Sequence, residues 1–258
     1  VRLCAAALLA VLVSAPAAAQ TVPVLVASGV AAADARNPVQ ALRDFQAALA
    51  VDSTSYEANW RASIAAVDIG KQTPDSVPSP SRDSLYRLAE RYATRAVAAN
   101  PDGADGFFAL ANAIGRTSLT LGKKERVRRA GEIRTDALRA IELNPRQDGA
   151  FHVMGRWNAE IMRLSSFQRF FAKSFLGGAI FNQASWPNAV SYMKKAIEIR
   201  PEFVYHHYDL ALIYMDTKQW ALARQQFEII PSLPLIDVMD PVWKDEAARL
   251  LRSIANKN

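Results

Sequence analysis

Ala48-Leu49-Ala50-Val51-Asp52-Ser53, Ala96-Val97-Ala98-Ala99-Asn100-Pro101, Ala140-Ile141-Glu142-Leu143-Asn144-Pro145 and Ala196-Ile197-Glu198-Ile199-Arg200-Pro201 are one helix ending written four times. A small Ala lets two helices touch, apolar residues face a core, and Pro forbids a further turn while pushing the residue before it out of the helical region. A recurring helix end predicts a helical repeat array, and such arrays stack into a curved surface that binds other molecules.

Working outward, each ending closes the second helix, B, of a helix pair. Ala41, Phe45 and Ala48 give small, large and small residues at spacings of four and three. The same pattern recurs as Ala89, Ala93, Ala96 and Pro101, as Ala189, Met193, Ala196 and Pro201, and as Ala223, Phe227 and Ile230. Ile133, Ala137, Ala140 and Pro145 follow it with Ile at the first place. The first helices, A, carry Leu25 and Gly29, Trp60, Phe107 with Leu110 and Ala111, Phe151 with Met154 and Gly155, and Leu210 with Ala211 and Tyr214. Gly29, Ala111, Gly155 and Ala211 fall where the A and B helices come closest. This pattern resembles the tetratricopeptide repeat, whose unit is 34 residues; the step from Ala196 to Ile230 has that length. The expected fold is all-α, a tetratricopeptide-repeat superhelix of about five helix pairs with insertions and a C-terminal capping helix.

The other steps exceed 34 residues, and each excess falls between an A and a B helix. Gly70 to Arg82, with Pro74, Pro78 and Pro80, reads as a flexible surface loop. The stretch Arg116 to Arg126 lacks Pro and is expected to lengthen both of its helices. The third excess is a Phe-rich insert at about 163–185. After Pro231 and Pro234, an amphipathic helix from Pro241 to about Ala255, with Asp240 as its N-cap, is expected to cover the open end of the array.

The chain has 258 residues, half of them hydrophobic, which suffices for one continuous solenoid core. Arg2, the apolar run Leu3 to Val13 and the small residues Ala17-Ala18-Ala19 read as a secretory signal peptide over 1–19, leaving a repeat domain over 20–258. The expected location is therefore exported, periplasmic or secreted, in a bacterium. Cys4 is the one cysteine and would leave with that segment, so disulfide and thiol chemistry are not expected. The formal charge of +6 is too mild for a dedicated nucleic-acid binder. The run Lys123-Lys124-Glu125-Arg126-Val127-Arg128-Arg129 shares its helix with Glu132 and Asp136 and has no interleaved aromatics, so it reads as a solvated helix face.

Repeat four reads His152-Val153-Met154-Gly155-Arg156-Trp157, then Leu164-Ser165-Ser166-Phe167, then Leu176-Gly177. With Asp237 and Glu246-Ala247-Ala248-Arg249-Leu250-Leu251 downstream, this resembles the regulator of microtubule dynamics family over roughly Asp148 to Ile254. That family carries a Gly-Arg-Trp helix followed by a Leu-Ser-aromatic stretch and a Phe-Gly, for which Leu176-Gly177 stands here. The resemblance implies a tetratricopeptide domain in a family associated with microtubules, membrane contacts and lipids. In an exported bacterial chain it implies a hydrophobic-ligand or membrane-facing role rather than a microtubule one.

Within the insert, Leu164, Phe167, Phe171 and Phe175 recur on one helical face, with Phe170 beside them and Arg163, Arg169 and Lys173 flanking. Three readings stay open: a stripe packed in the core, a lid over an apolar cavity, and a basic amphipathic helix on anionic lipid.

The repeat register places Arg61, Asp105, Phe108, Asn112, Arg116, His152, Arg156, Tyr205 and Tyr208 on the concave surface. The arginines and Asn112 would hold a carboxylate or phosphate by charge-assisted hydrogen bonds; alternatively, Arg156 pairs internally with Glu160 or Asp209. Of the adjacent His206 and His207, one is expected to pack and the other to face solvent. The three histidines have no metal-ligand spacing, and neither a nucleophile elbow nor a Gly-rich phosphate loop is present. The chain is thus read as non-catalytic, with no cofactor and no metal. The first functional reading is a scaffold gripping a protein or peptide partner through Arg61, Asn112, His152 and Arg156. The alternative is a lipid or apolar-ligand module with a chamber lined by Phe108, Trp157, Phe167, Phe171 and Tyr208, with anionic lipid or a membrane surface as partner.

Overall fold

A computed structural model describes residues 21–257, with 167 and 171–177 excepted. The signal-peptide reading of 1–19 and the expectations placed on Phe167, Phe171 and Phe175 lie outside the described residues.

The fold is the expected tetratricopeptide-repeat superhelix. Its helix pairs are α1 (Val22–Asp34) with α2 (Pro38–Val51), α3 (Tyr56–Gly70) with α4 (Pro80–Ala99), α5 (Ala104–Ser118) with α6 (Lys123–Leu143), α7 (Asp148–Arg163) with α8 (Trp186–Ile199), and α9 (Val204–Asp216) with α10 (Trp220–Ile229). Helix α11 (Asp240–Ser253) packs on α9 and α10 and closes the C-terminal end.

The recurring motif is one structural device. Asp52, Asn100 and Asn144 are extended at φ −140°, −143° and −141°, and Arg200 shares their φ, at −138°, with a lower ψ of 76°; a following Pro keeps Asn100, Asn144 and Arg200 out of the helical region. Each donates its backbone N–H to the carbonyl of the motif's Ala, which is Ala48, Ala96, Ala140 or Ala196. The side chains of Asp52, Asn100 and Asn144 each accept from the backbone two residues on, at 2.9, 3.1 and 3.0 Å. This is the Asx turn, which reverses the chain into the next A helix. Arg200 cannot make it and keeps only the shared φ.

Small residues set the packing distance. A Cβ built on Gly29 would stand 2.4 Å from the Phe45 ring, and one on Gly155 would stand 2.9 Å from Met193. Ala111 and Ala211 are fully buried at the equivalent places. Three apolar clusters run along the array, one around Phe45, one around Trp157 and Phe181, and one around Phe227 and Tyr214.

The insertions depart from expectation in detail. The first and fifth pairs turn in three residues, with Arg36 and Lys218 both left-handed at φ 58° and 59°. The loop after α3 is built rather than loose: the buried Arg82 guanidinium donates to the carbonyls of Pro74 and Val77 at 2.6 and 2.8 Å, and Ser79 caps α4. The Pro-free stretch lengthens only α6, to 21 residues; α5 has 15, like α3. Asp240 does not cap α11. Its Oδ2 accepts from the N–H groups of Ile236 and Asp237, both at 2.6 Å, which folds the preceding segment back.

Gly29→Ala is expected to destabilise by about 1–3 kcal/mol, because the buried Phe45 ring has nowhere to move. Gly115 has nothing within 4 Å of its Cβ position, so Gly115→Ala in α5 should gain about 0.5–1 kcal/mol. Thermal unfolding followed by circular dichroism checks both signs; equal effects would contradict this packing.

Candidate functional site

The concave face encloses a cavity of about 540 Å³. Helix α3 contributes Arg61 and Ile64, α5 contributes Phe108, Asn112 and Arg116, α7 contributes His152 and Val153, and α9 contributes Tyr205. These are first helices of successive pairs, so the repeat geometry alone aims them inward. The first pair closes one side through Asp34, Arg36 and Phe45, and another side is the chain's own segment Leu235–Val238, which runs between α10 and α11 without regular secondary structure.

Six of the expected groove residues therefore share this cavity: Arg61, Phe108, Asn112, Arg116, His152 and Tyr205. Arg61 is held by Glu57 at 2.9 Å and lies over the Trp60 ring. Phe108 fits against Gly149, where a Cβ would stand 2.4 Å from the ring. Arg116 is mostly covered, and its nearest carboxylate is Asp75, 3.7 Å away on an exposed loop.

Arg156, Trp157 and Tyr208 do not line it. Arg156 is taken up internally, by Asp209 and Glu160 at 3.6 Å each and by the Tyr205 hydroxyl. It borders a smaller polar recess of about 220 Å³ with Lys71, Arg116 and Trp243. Trp157 follows Arg156 by one residue and so turns to the other side of α7; it is buried, and its Nε1 donates to the Ala130 carbonyl at 2.7 Å. Tyr208 faces α10, with its ring 6.3 Å from Phe227. Trp157 and Tyr208 are thus core contacts, and the apolar chamber expected around them is not formed by the described residues. Asp105 turns away to accept from Gln147.

The insert's basic flank is consumed locally. Arg163 pairs with Glu160 and Asp216 at 2.7 Å each, and Arg169 donates to the carbonyls of Met162 and Leu164 at the end of α7. Phe170 is 61% exposed. The basic start of α6 forms an ion-paired face through Arg128, Glu125 and Glu132, while Arg129 turns inward to Glu90 at 2.6 Å.

Both adjacent histidines are buried, contrary to expectation, because α9 is covered on both sides. His207 bridges Gln226 and the Pro201 carbonyl. His206 Nε2 lies 3.0 Å from Asp148, and its Nδ1 lies 2.9 Å from Nδ1 of His152. His152 Nε2 in turn stands 3.1 Å from Asp209. An ionised Asp148 only accepts, so His206 donates from Nε2 and accepts at Nδ1 from His152. Burial would raise the Asp148 carboxyl, but the hydrogen bond from His206, with the positive charge of nearby Arg200, outweighs it and holds it below its usual value. Burial would likewise raise Asp209, and the charge of Arg156 with the His152 contact lowers it. For His206, burial dominates and pushes the imidazole down to about 4.

The sequence singled out Asp237 through the family resemblance but gave no sign of the contact that closes the cavity. Lys71 Nζ reaches Asp68 at 2.7 Å and Asp237 at 2.6 Å, joining α3 to a segment 166 residues away. Trp243 of α11 stacks on Tyr205 with centroids 3.9 Å apart and planes at 5°.

The sequence model of the family described as "Regulator of microtubule dynamics protein 1-3" matches residues 30–255. Regulator of microtubule dynamics protein 1 of Bos taurus is 27% identical over 210 residues, covering 80% of this chain and 64% of that protein. The Homo sapiens protein of the same name is 26% identical over 202 residues, covering 77% and 62%. This chain thus spans less than two thirds of the relatives' length. Among solved structures, a thermophilic TPR protein of Thermus thermophilus superposes with a TM-score of 0.64 at 17% identity, covering 89% of this chain and 100% of that one. Pseudomonas aeruginosa pilF superposes with a TM-score of 0.52 at 13% identity, covering 91% and 86%. These two likenesses show the repeat fold.

Because His206 is held neutral, folding excludes a proton that the unfolded chain would bind. Stability from this site is complete above about pH 6.5 and is lost as pH falls towards about 4, by roughly 3 kcal/mol in all. Urea unfolding at pH 7.5, 5.5 and 4.5 should show this fall, and His206→Asn should flatten it. An unchanged slope in the variant would place the acid sensitivity elsewhere.

Proposed function

As this chain belongs to the regulator of microtubule dynamics family, a family of tetratricopeptide fold, we propose that it is a non-catalytic scaffold whose concave cavity grips a segment of a protein partner. The observation that carries this reading is the convergence of Arg61, Asn112, Arg116 and His152 from three successive A helices on one cavity whose other lining residues include Ile64, Phe108 and Val153. Such a wall offers apolar contact for side chains and charge-assisted hydrogen bonds for a carboxylate. Arg116 replaces Arg156 as the principal anion contact, since Arg156 is already spoken for by Asp209 and Glu160. In the exported reading of the N-terminus, the partner is met outside the cytoplasm.

A second reading is supported by the size of the same cavity. Its volume falls within the roughly 300–1,000 Å³ of small-ligand sites, and Phe108, Val153 and Leu235 give it apolar walls. In that reading an apolar ligand with an anionic head lies with the head at Arg116.

A photo-crosslinking residue at Asn112, compared with one at Arg91 on the outer face of α4, tests the scaffold. A partner protein should be captured from position 112 and not from 91. Arg116→Ala should lower that yield about tenfold, the equivalent of one lost charge-assisted contact. Equal capture at both positions would sink the cavity model. Native mass spectrometry of the same protein separates the two readings: a stoichiometric small-molecule adduct in place of a protein crosslink favours the apolar ligand.

A further inference from the structure

One wall of the cavity is itself a piece of irregular polypeptide, with a bend at Asp237 and a turn over 238–239. Residues 233–239 read Leu-Pro-Leu-Ile-Asp-Val-Met and form neither helix nor strand. They cross the mouth of the concave face so that Leu235, Ile236, Asp237 and Val238 share the cavity with Ile64, Lys71 and Tyr205. An A-helix groove of this kind thus already holds a peptide strap, and the strap belongs to the same chain.

The way it is held is uneven. From behind, the strap is anchored to α11 and its approach. Asp240 accepts from two of its backbone N–H groups, and Lys244 donates to the Leu233 and Pro231 carbonyls. Across the cavity, its polar tie to α3 is the Asp237–Lys71 pair, 2.6 Å long and nearly buried. Leu235 remains 44% exposed. Lys71 is also held by Asp68, one turn earlier on α3, at 2.7 Å. Two carboxylates therefore compete for one ammonium. Burial lowers Lys71, but the charges of Asp68 and then Asp237 more than restore it, so it stays a cation. Burial raises Asp68 against the pull of Lys71, and Asp237 raises it further. When Asp237 leaves, Lys71 keeps a partner and Asp68 loses a repulsive neighbour. Opening the strap therefore does not strand a buried charge, whose uncompensated cost is what makes most buried pairs permanent.

We propose that Leu235-Ile236-Asp237-Val238 is a resident occupant of the cavity, and that the protein partner presents a segment of the same chemistry. That segment carries two apolar residues followed by a carboxylate, and its carboxylate takes Lys71 in place of Asp237. This rests on the scaffold reading and narrows it to a partner class and a means of regulation: the strap sets the threshold that a partner must exceed. A displaced strap leaves Ile64 and Tyr205 to take the incoming apolar side chains, with Arg116 beyond them for a second acidic group.

The test uses the whole chain and a fluorescein-labelled synthetic peptide, Ser-Leu-Pro-Leu-Ile-Asp-Val-Met, copied from residues 232–239. Anisotropy should show weak binding to the unaltered chain and at least tenfold tighter binding to Asp237→Asn, whose strap has lost its tie. The peptide with Asn for Asp should lose that gain, and so should the double variant Lys71→Gln with Asp237→Asn. A folded Asp237→Asn chain that binds no better, or that binds both peptides alike, overturns the proposal. Hydrogen exchange on the unaltered chain covers the case in which the variant fails to fold. Saturating peptide should speed exchange of the amides of 236–238 and slow none in α11, whereas an unchanged strap contradicts displacement. If crosslinking from Asn112 persists while the peptide has no effect, the strap idea fails and the scaffold stands. If crosslinking from Asn112 is also absent, the cavity reading fails with it.

Discussion

Everything in this structure depends on one repeated constraint, the non-helical residue that ends each of the first four B helices. A residue ahead of Pro is barred from the helical region, and Asp52, which lacks the following Pro, reaches the same geometry through its side-chain turn. The four endings differ by only a few degrees in φ. With ψ between 93° and 100°, the first three hand the chain to the next A helix at nearly the same angle, and Arg200, at ψ 76°, does so with a modest difference. Repetition of one angle makes a superhelix, and a superhelix has a concave face. Glycines at the A–B crossings then fix how near the helices lie. At Gly29 and Gly155 a single methyl group would meet Phe45 or Met193.

That chain of causes explains which residues were legible in the sequence. The helix ends and the small-residue contacts are local, and they set both the register and the inward direction of Arg61, Phe108, Asn112, Arg116 and His152. Trp157 and Tyr208 were misplaced for a local reason too. Each lies off the inward line by about one helical position, which turns the side chain towards a neighbouring helix. His206 and His207 were misjudged because α9 is enclosed on both sides, a fact of the whole array that the helix's own sequence does not carry. The inserts were legible in length but not in form: the Pro-rich loop owes its order to Arg82, two turns of chain away from what it holds.

Of the closing contact only Asp237 was legible, through the family resemblance, and its pairing with Lys71 was not. Lys71 and Asp237 are 166 residues apart, and neither belongs to a repeat position. Their meeting depends on the accumulated curvature of the array, to which every helix pair contributes. This is also where the fold and the proposed function join. An open array would offer a broad groove; the Lys71–Asp237 pair and the Tyr205–Trp243 stack instead bring the C-terminal segment across the second pair and leave a bounded cavity. A site made this way is sensitive to changes at its rim as well as to changes in its wall.

The central claim is that the superhelix closes on itself between α3 and α11. The most direct measurement is the distance between spin labels on exposed Gln72, just past α3, and exposed Val242, on α11, read by pulsed electron resonance with Cys4 replaced by Ser. The account predicts a single narrow distribution at short distance, which broadens and lengthens in Asp237→Asn. A broad or long distribution in the otherwise unaltered chain would contradict closure and, with it, the bounded cavity.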